Sequence, residues 1–250
     1  MKSIISREQR AAMMPRLIER MRPDENALDG ASYPIVSLYY DTPGRDCYWE
    51  KVNGLPSRRK MRVRVYGSHD GRVQPTVFVE IKHKCDGRGV KRRLRVPHGE
   101  AYSIAAGNAP TVPLGPADQR LVAEIHQLVK ARGFEPCVAM RYDRDAYADR
   151  DPESDLRVTF DSQVAYRFDN LRPVADDRAF RQHLLPDDYS IMEVKGTGAV
   201  PYWLAHLVGE HRCLLRGHSK YGSALEAGDA ELHQQFGGCP RRPSPELSAA

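Results

Sequence analysis

The chain lacks any apolar run near the length of a bilayer-spanning helix, and no apolar leader segment follows Lys2. Those two absences remove a membrane-spanning helix and a secretory signal from the reading, so the expected location is the cytoplasm. Cysteine is scarce and unorganised. Cys47, Cys85, Cys137, Cys213 and Cys239 are odd in number, widely scattered and never arranged as C-x-x-C. That spacing speaks against a disulfide framework and a structural zinc site, and it fits a reducing compartment. Internal repeats, heptads and low-complexity blocks are also missing. Net charge is slight, at +5, because 33 acidic residues offset most of 38 basic ones. Any preference for an anionic partner must therefore come from how the charges are arranged.

What is present is a succession of short patterned segments in 250 residues, long enough for a full core. Ser6-Arg-Glu-Gln9 has the form of a capping box, followed by Ala11, Met14, Leu17, Ile18 and Met21 at helical spacing. Pro15 falls inside that pattern and is expected to kink the helix or shift its start. Residues 23–32 read as a polar loop, and Tyr33 to Asp41 as a strand. Further strands are expected at 60–66, 74–84, 90–96, 137–148, 156–162 and 191–195, with a turn at Ser68 to Gly71. Asp118 to Arg132 carries a helical stripe of Leu121, Val122, Ile125, Leu128 and Val129, stopped by Gly133. Shorter helices are expected near 102–106, 176–184, 201–211 and 219–227. Consecutive strands joined by tight turns predict antiparallel α+β architecture instead of an alternating parallel sheet. One domain over residues 1–226 is the simplest division, leaving 227–250 as a tail expected to be partly disordered.

The strands share a two-faced pattern. Alternation puts Lys60, Arg62, Arg64 and Tyr66 on one face and Met61, Val63 and Val65 on the other. The same division sets Phe78, Glu80, Lys82 and Lys84 against Val77, Val79 and Ile81. It places Lys91, Arg93 and Arg95 together, then Arg157, Thr159 and Asp161, then Glu193 and Lys195. One such strand reads as a solvated outer face; several in succession read differently. If the aliphatic faces turn outward beneath helices, the charges line an interior. Such an interior is too costly unless it holds water and a charged ligand. Many cations with a few carboxylates suit a polyphosphate chain and a divalent metal ion.

Six segments occur in order: Ser37-Leu-Tyr-Tyr-Asp-Thr-Pro43, Lys60-Met-Arg-Val-Arg-Val-Tyr66, Val79-Glu-Ile-Lys82 with Lys91 downstream, Leu156-Arg-Val-Thr-Phe-Asp161, Ile191-Met-Glu-Val-Lys195 and His218-Ser-Lys-Tyr221. Together they resemble the vacuolar transporter chaperone (VTC) domain, the polyphosphate polymerase branch of the CYTH-like triphosphate tunnel metalloenzymes. The resemblance covers about residues 2 to 226. It implies an antiparallel β-barrel tunnel with flanking helices, which transfers the terminal phosphoryl group of ATP to a growing polyphosphate chain. On the matching positions it implies Arg62, Arg64, Lys82, Lys91, Arg157 and Lys220 as catalytic phosphate-binding residues. Lys2, Arg144 and Lys195 are implied as further substrate ligands, with Arg144 chosen over Arg141 as the inward residue. Glu193 is implied as the ligand of Mn2+ or Mg2+. For Arg157 the competing role is an ion pair with Asp155 or Asp161; for Glu193 it is a bridge to Lys195 or Lys220.

Members of that family usually open with a longer first strand, so for Met1-Lys-Ser-Ile-Ile5 either the start site is misassigned or the first strand is truncated, and the second case would leave a barrel edge open. Two other functions stay in view. A tunnel triphosphatase or nucleoside triphosphate hydrolase would use Glu80 or Asp161 as a base for water. A non-catalytic polyphosphate-binding module would follow if the first strand is incomplete. Nucleic acid is not expected, because few aromatics accompany the cation clusters on that face. A role in transport would require a membrane partner.

Overall fold

The computed structural model describes residues 1–25, 27, 32–67, 76–175, 177–229 and 232. Strand β1 (Lys2–Ser6) runs directly into helix α1 (Arg7–Arg20). Ser6 Oγ accepts from the Gln9 backbone N–H while the Gln9 side chain accepts from the Ser6 N–H, which satisfies two otherwise orphaned donors. Pro15 lies inside α1 and neither delays its start nor ends it. There follow β2 (Met21–Pro23), β3 (Tyr33–Asp41), α2 (Asp46–Val52), β4 (Ser57–Tyr66), β5 (Thr76–Cys85) and β6 (Arg88–Arg95). Helices α3 (His98–Ala105) and α4 (Pro116–Arg132) come next, and Gly133 at φ 70° ends α4 in the left-handed conformation that glycine adopts freely. The chain closes with β7 (Glu135–Asp149), β8 (Arg157–Arg167), β9 (Gln182–His183), β10 (Tyr189–Lys195), α5 (Tyr202–Glu210) and α6 (Lys220–Gly228).

Every strand pair is antiparallel, in the order β1-β10-β8-β7-β3-β4-β5-β6, with β2 added beside β7 and β9 beside β8. The sheet is strongly curled, yet it is not the closed barrel expected: β1 and β6 are its two edges, and no described residues pair them. The edge strands explain the opening. Both edges carry cations on the concave face, Lys2 on one and Lys91 and Arg93 on the other. Charged edge side chains disfavour strand pairing.

A second expectation also gives way. Of the segment expected as a helix at 176–184, residues 177–181 are irregular and 182–183 form β9, and residue 176 lies outside the described residues. Asp177 accepts from the Ala179 N–H and takes Arg167 through both carboxylate oxygens, at 2.9 and 2.5 Å. These local bonds offer the backbone an alternative to a helix. The expected turn at 68–71, the start of the expected strand at 74–75 and the tail from 233 lie outside the described residues. The expected boundary at 226 falls within α6, and Leu232 beyond it is buried in the core.

The aliphatic faces do turn outward. Val36, Leu38, Val63, Val65, Val79, Ile81 and Leu94 pack beneath Ala101 and Ile104 of α3 and Leu121, Ile125 and Leu128 of α4. Ile5, Val158, Phe160, Met192 and Val194 form a second cluster beneath Met13 and Leu17 of α1 and Leu204 and Leu207 of α5. Each fully buried aliphatic side chain contributes about 1.5–3 kcal/mol as an upper estimate. That burial fixes the register, and a one-residue slip would turn every charge on the concave face into the apolar layer.

Candidate phosphate tunnel

Directly paired residues in an antiparallel sheet share a face, so the register assigns the concave lining strand by strand. Lys2 on β1 faces Glu193 on β10, and Glu193 and Lys195 face Thr159 and Arg157 on β8. Asp161 faces Arg144 on β7. Ser37 and Tyr39 on β3 face Arg64 and Arg62 on β4. Arg62 faces Glu80 on β5, and Glu80 faces Arg93 on β6. Lys60, Lys82 and Lys91 lie in one register row across β4, β5 and β6. Helix α6 enters on the same side: Tyr221 donates to Asp41, Lys60 sits 4.9 Å from the Tyr221 ring centroid, and Lys220 donates to Asp161 at 2.5 Å. Lys2, Arg62, Arg64, Lys82, Lys91, Arg144, Arg157, Glu193, Lys195 and Lys220 thus share one concave surface. Arg141 is on the opposite face, where it binds Asp143 through two contacts of 2.9 and 3.3 Å.

The lining is organised around its carboxylates. Asp161, with no exposed surface, accepts from Arg144 Nε and Nη2 at 2.7 and 2.9 Å and from Lys220. Burial works to raise its pKa, but Lys220 and Arg144 outweigh that and hold the carboxyl below its usual range. Glu80 accepts from Arg62 Nε at 2.7 Å and lies 3.6 Å from the Lys91 ammonium. Burial opposes its ionisation too, yet Arg62, Arg64 and Lys91 lower its pKa to about 2. Glu193 is looser: the ammoniums of Lys2 and Lys195 are each 3.7 Å away, and its pKa is lowered because those cations outweigh its burial. Lys82, which is exposed, has no ion pair or hydrogen bond among the described residues.

Glu80 gives the site a testable acid response. A folded pKa below the ordinary 4.5 means that ionised Glu80 stabilises the fold above that pH, and that the contribution is lost as pH falls towards about 2. The urea midpoint of the wild type should fall between these values more steeply than that of Glu80→Gln. Parallel acid profiles would show that Glu80 is not held by Arg62.

Arg157 pairs with Asp24 and meets the Tyr33 hydroxyl at 3.2 Å, in place of the expected partners Asp155 and Asp161. Asp24 was not legible as a partner, because it sits in a polar stretch 133 positions away with no periodic signal. A cavity of about 990 Å3 opens at this end, lined by Lys2, Arg157, Glu193, Lys195 and Arg216. The sequence also gave no sign that Tyr39 accepts from Arg62 Nη1 at 3.1 Å, or that Tyr142 accepts from Arg64 Nη2 at 3.0 Å.

No cluster of three or more His, Cys, Asp or Glu side chains that could hold a metal occurs among the described residues. The donor set suits a hard divalent ion of the kind that keeps waters and takes most of its oxygens from a substrate. Mg2+ is commonly bound by one or two carboxylates plus phosphates. Glu193 supplies one incompletely engaged carboxylate, and beside it in register the buried Thr159 hydroxyl has no partner among the described residues.

Among the described residues, no helix is long and apolar enough to cross a membrane. The Schizosaccharomyces pombe vacuolar transporter chaperone complex subunit 4 is 27% identical, the match covering 71% of this chain and 29% of that protein. The chain therefore spans less than a third of the length of that relative. Among solved structures, a putative adenylate cyclase from Bacillus halodurans matches with a TM-score of 0.48 at 11% identity, covering 94% of this chain and 95% of the other. A putative adenylyl cyclase from Hippeastrum, described as having a dominant triphosphatase activity, matches with a TM-score of 0.47 at 13% identity and covers 90% and 91%. The VTC domain model matches residues 1–227, and the chain belongs to the VTC domain family.

Proposed function

We propose that the concave face binds a chain of phosphates and extends it with the terminal phosphoryl group of ATP. The observation that carries this reading is the row Lys60-Lys82-Lys91, in which Glu80, 3.6 Å from Lys91, is already shared with Arg62, and which continues the half-buried guanidinium of Arg62 and the buried one of Arg64. Like charges placed directly opposite one another on neighbouring strands destabilise a sheet. A polyanion along the row removes that repulsion and supplies the charge that Glu80, already engaged by Arg62, does not.

Phosphoryl transfer requires alignment and neutralisation of charge more than covalent help from the protein. Arg62, Arg64 and Lys220 would hold the transferred group; Arg144 and Lys2 would hold phosphates on one side and Lys82 and Lys91 on the other. Arg157 and Lys195 would bind phosphates at the large cavity. A divalent ion on Glu193 would neutralise phosphate oxygens. Because Arg144 and Arg62 already anchor on Asp161 and Glu80, their guanidiniums are preorganised, which favours stabilisation of developing charge.

The same pairing bears on the hydrolase reading. Asp161 and Glu80 are the candidate bases for water, and both are held ionised at low pKa by the cations they accept from. Carboxylates so committed are poor bases at neutral pH. A phosphate acceptor is already ionised and needs none, which favours chain extension. Incubation with ATP and Mn2+ should give ADP and long polyphosphate chains. Orthophosphate without chains would establish a hydrolase instead, and salt-sensitive polyphosphate binding without turnover would establish a binding module. The matched relative is a subunit of a complex, and we propose that this domain likewise works beside a membrane component, from the cytoplasmic side.

A further inference from the structure

We infer that Tyr39 is a proton-linked ligand of the bound phosphates: its phenolate serves as the resident counter-anion of the empty concave face, and phosphate binding protonates it and turns it into a hydrogen-bond donor. The inference rests on the phosphate-tunnel reading and adds to it a residue and a regulated step.

Tyr39 lies on the concave face between Arg62 on β4 and Val138 on β7. Its hydroxyl accepts from Arg62 Nη1 at 3.1 Å and, among the described residues, donates to nothing. A phenol that only accepts, on a face otherwise crowded with donors, has its own proton unused. The Arg62 guanidinium carbon lies 5.7 Å from the Tyr39 ring centroid, and the Tyr221 ring tilts against Tyr39 with centroids 5.3 Å apart. From β4 it is faced by Arg62 and Arg64 and, against the Tyr221 ring, by Lys60; from α6 by Lys220 and Tyr221; from β7 by Tyr142. The carboxylates of this region are already spent. Glu80 holds Arg62, Asp161 holds Lys220, and Asp41 on the same strand accepts from Tyr221.

Burial by itself raises the pKa of a phenol, yet Arg62, Arg64 and Lys220 outweigh it and bring Tyr39 down to about 7. Near neutral pH the empty site therefore carries phenolate as a partial counter-charge. An arriving phosphate brings its own negative charge to the same cations, which makes a second anion there unfavourable. One proton taken from solvent neutralises the phenolate, and the new O–H donates to a phosphate oxygen. Affinity for phosphate then weakens as pH rises above the Tyr39 midpoint, by up to about tenfold per pH unit for one linked proton.

The test is titration of the purified protein with tripolyphosphate at about pH 8, above that midpoint. Tyrosinate absorbance is followed, and proton uptake is measured from binding heats in two buffers of different ionisation enthalpy. In the wild type, binding should bleach the tyrosinate band and take up a proton. Tyr39→Phe keeps the ring packed on Tyr221 and should bind without bleaching or uptake, whereas Tyr66→Phe, which removes the phenol beside Arg64, should retain both. Bleaching that persists in Tyr39→Phe, or tripolyphosphate binding to the wild type with no bleaching, overturns the assignment while leaving the tunnel reading intact. Failure of the wild type to bind tripolyphosphate overturns the tunnel reading and this assignment with it.

Discussion

Asp161→Ala should destabilise the fold by about 3–5 kcal/mol, the cost of leaving a buried charge without its partner. The carboxylate receives three donors from two elements, Arg144 on β7 and Lys220 on α6. Its removal leaves both cations facing each other across the space it filled, with little water to replace it. The urea midpoint should drop with no change in slope, because the buried surface is unchanged. Tripolyphosphate should restore part of the loss, and more of it than it adds to the wild type, since an anion bound there takes the place of the carboxylate. A midpoint within about 1 kcal/mol of the wild type would mean that solvent reaches Arg144 and Lys220, and that this part of the lining is not a closed electrostatic unit.

Glu193→Gln should behave in the opposite way, with the fold intact and catalysis lost. Glu193 meets Lys2 and Lys195 only at 3.7 Å, and its side chain keeps 17% of its surface exposed. Loss of these contacts should cost at most about 1 kcal/mol. If the carboxylate positions the divalent ion, metal-dependent turnover should fall by at least about 100-fold. The proposal has a second readout: Mn2+ titrated in the presence of tripolyphosphate should bind the wild type more tightly than the variant. Equal Mn2+ affinity and wild-type turnover would remove Glu193 from the metal site.

The two variants separate what local pattern shows from what only the fold shows. Alternation along Lys60 to Tyr66 is a local property, so the division of Arg62 and Arg64 from Val63 and Val65 was legible before any coordinates. The same holds for Glu193 against Val194 and for the α1 capping box. Closure of the sheet was not legible, because it depends on whether β1 and β6 meet, and they lie at opposite ends of the strand order. The pairing of Arg157 with Asp24 was hidden for a similar reason: β2 and Asp24 are brought beside β7 and β8 by tertiary packing alone. The 176–184 segment did not form the expected helix because Arg167 claims both Asp177 and Phe180, the carboxylate by ion pair and the ring by stacking at 4.4 Å. The choice of Arg144 over Arg141 had little pattern behind it. A bulge in the β7–β8 pairing between Arg141 and Asp143 shifts the register there, and such shifts leave weak traces in sequence.

Whether phosphates lie along the concave face can be seen in a crystal structure with a non-hydrolysable ATP analogue and Mn2+. The phosphate oxygens should lie between Arg62, Arg64 and Lys220 and the metal against Glu193, with room for a chain continuing past Lys82 and Lys91. Phosphates bound instead on the opposite face, beside Arg141 and Asp143, with the concave face empty, would contradict that placement.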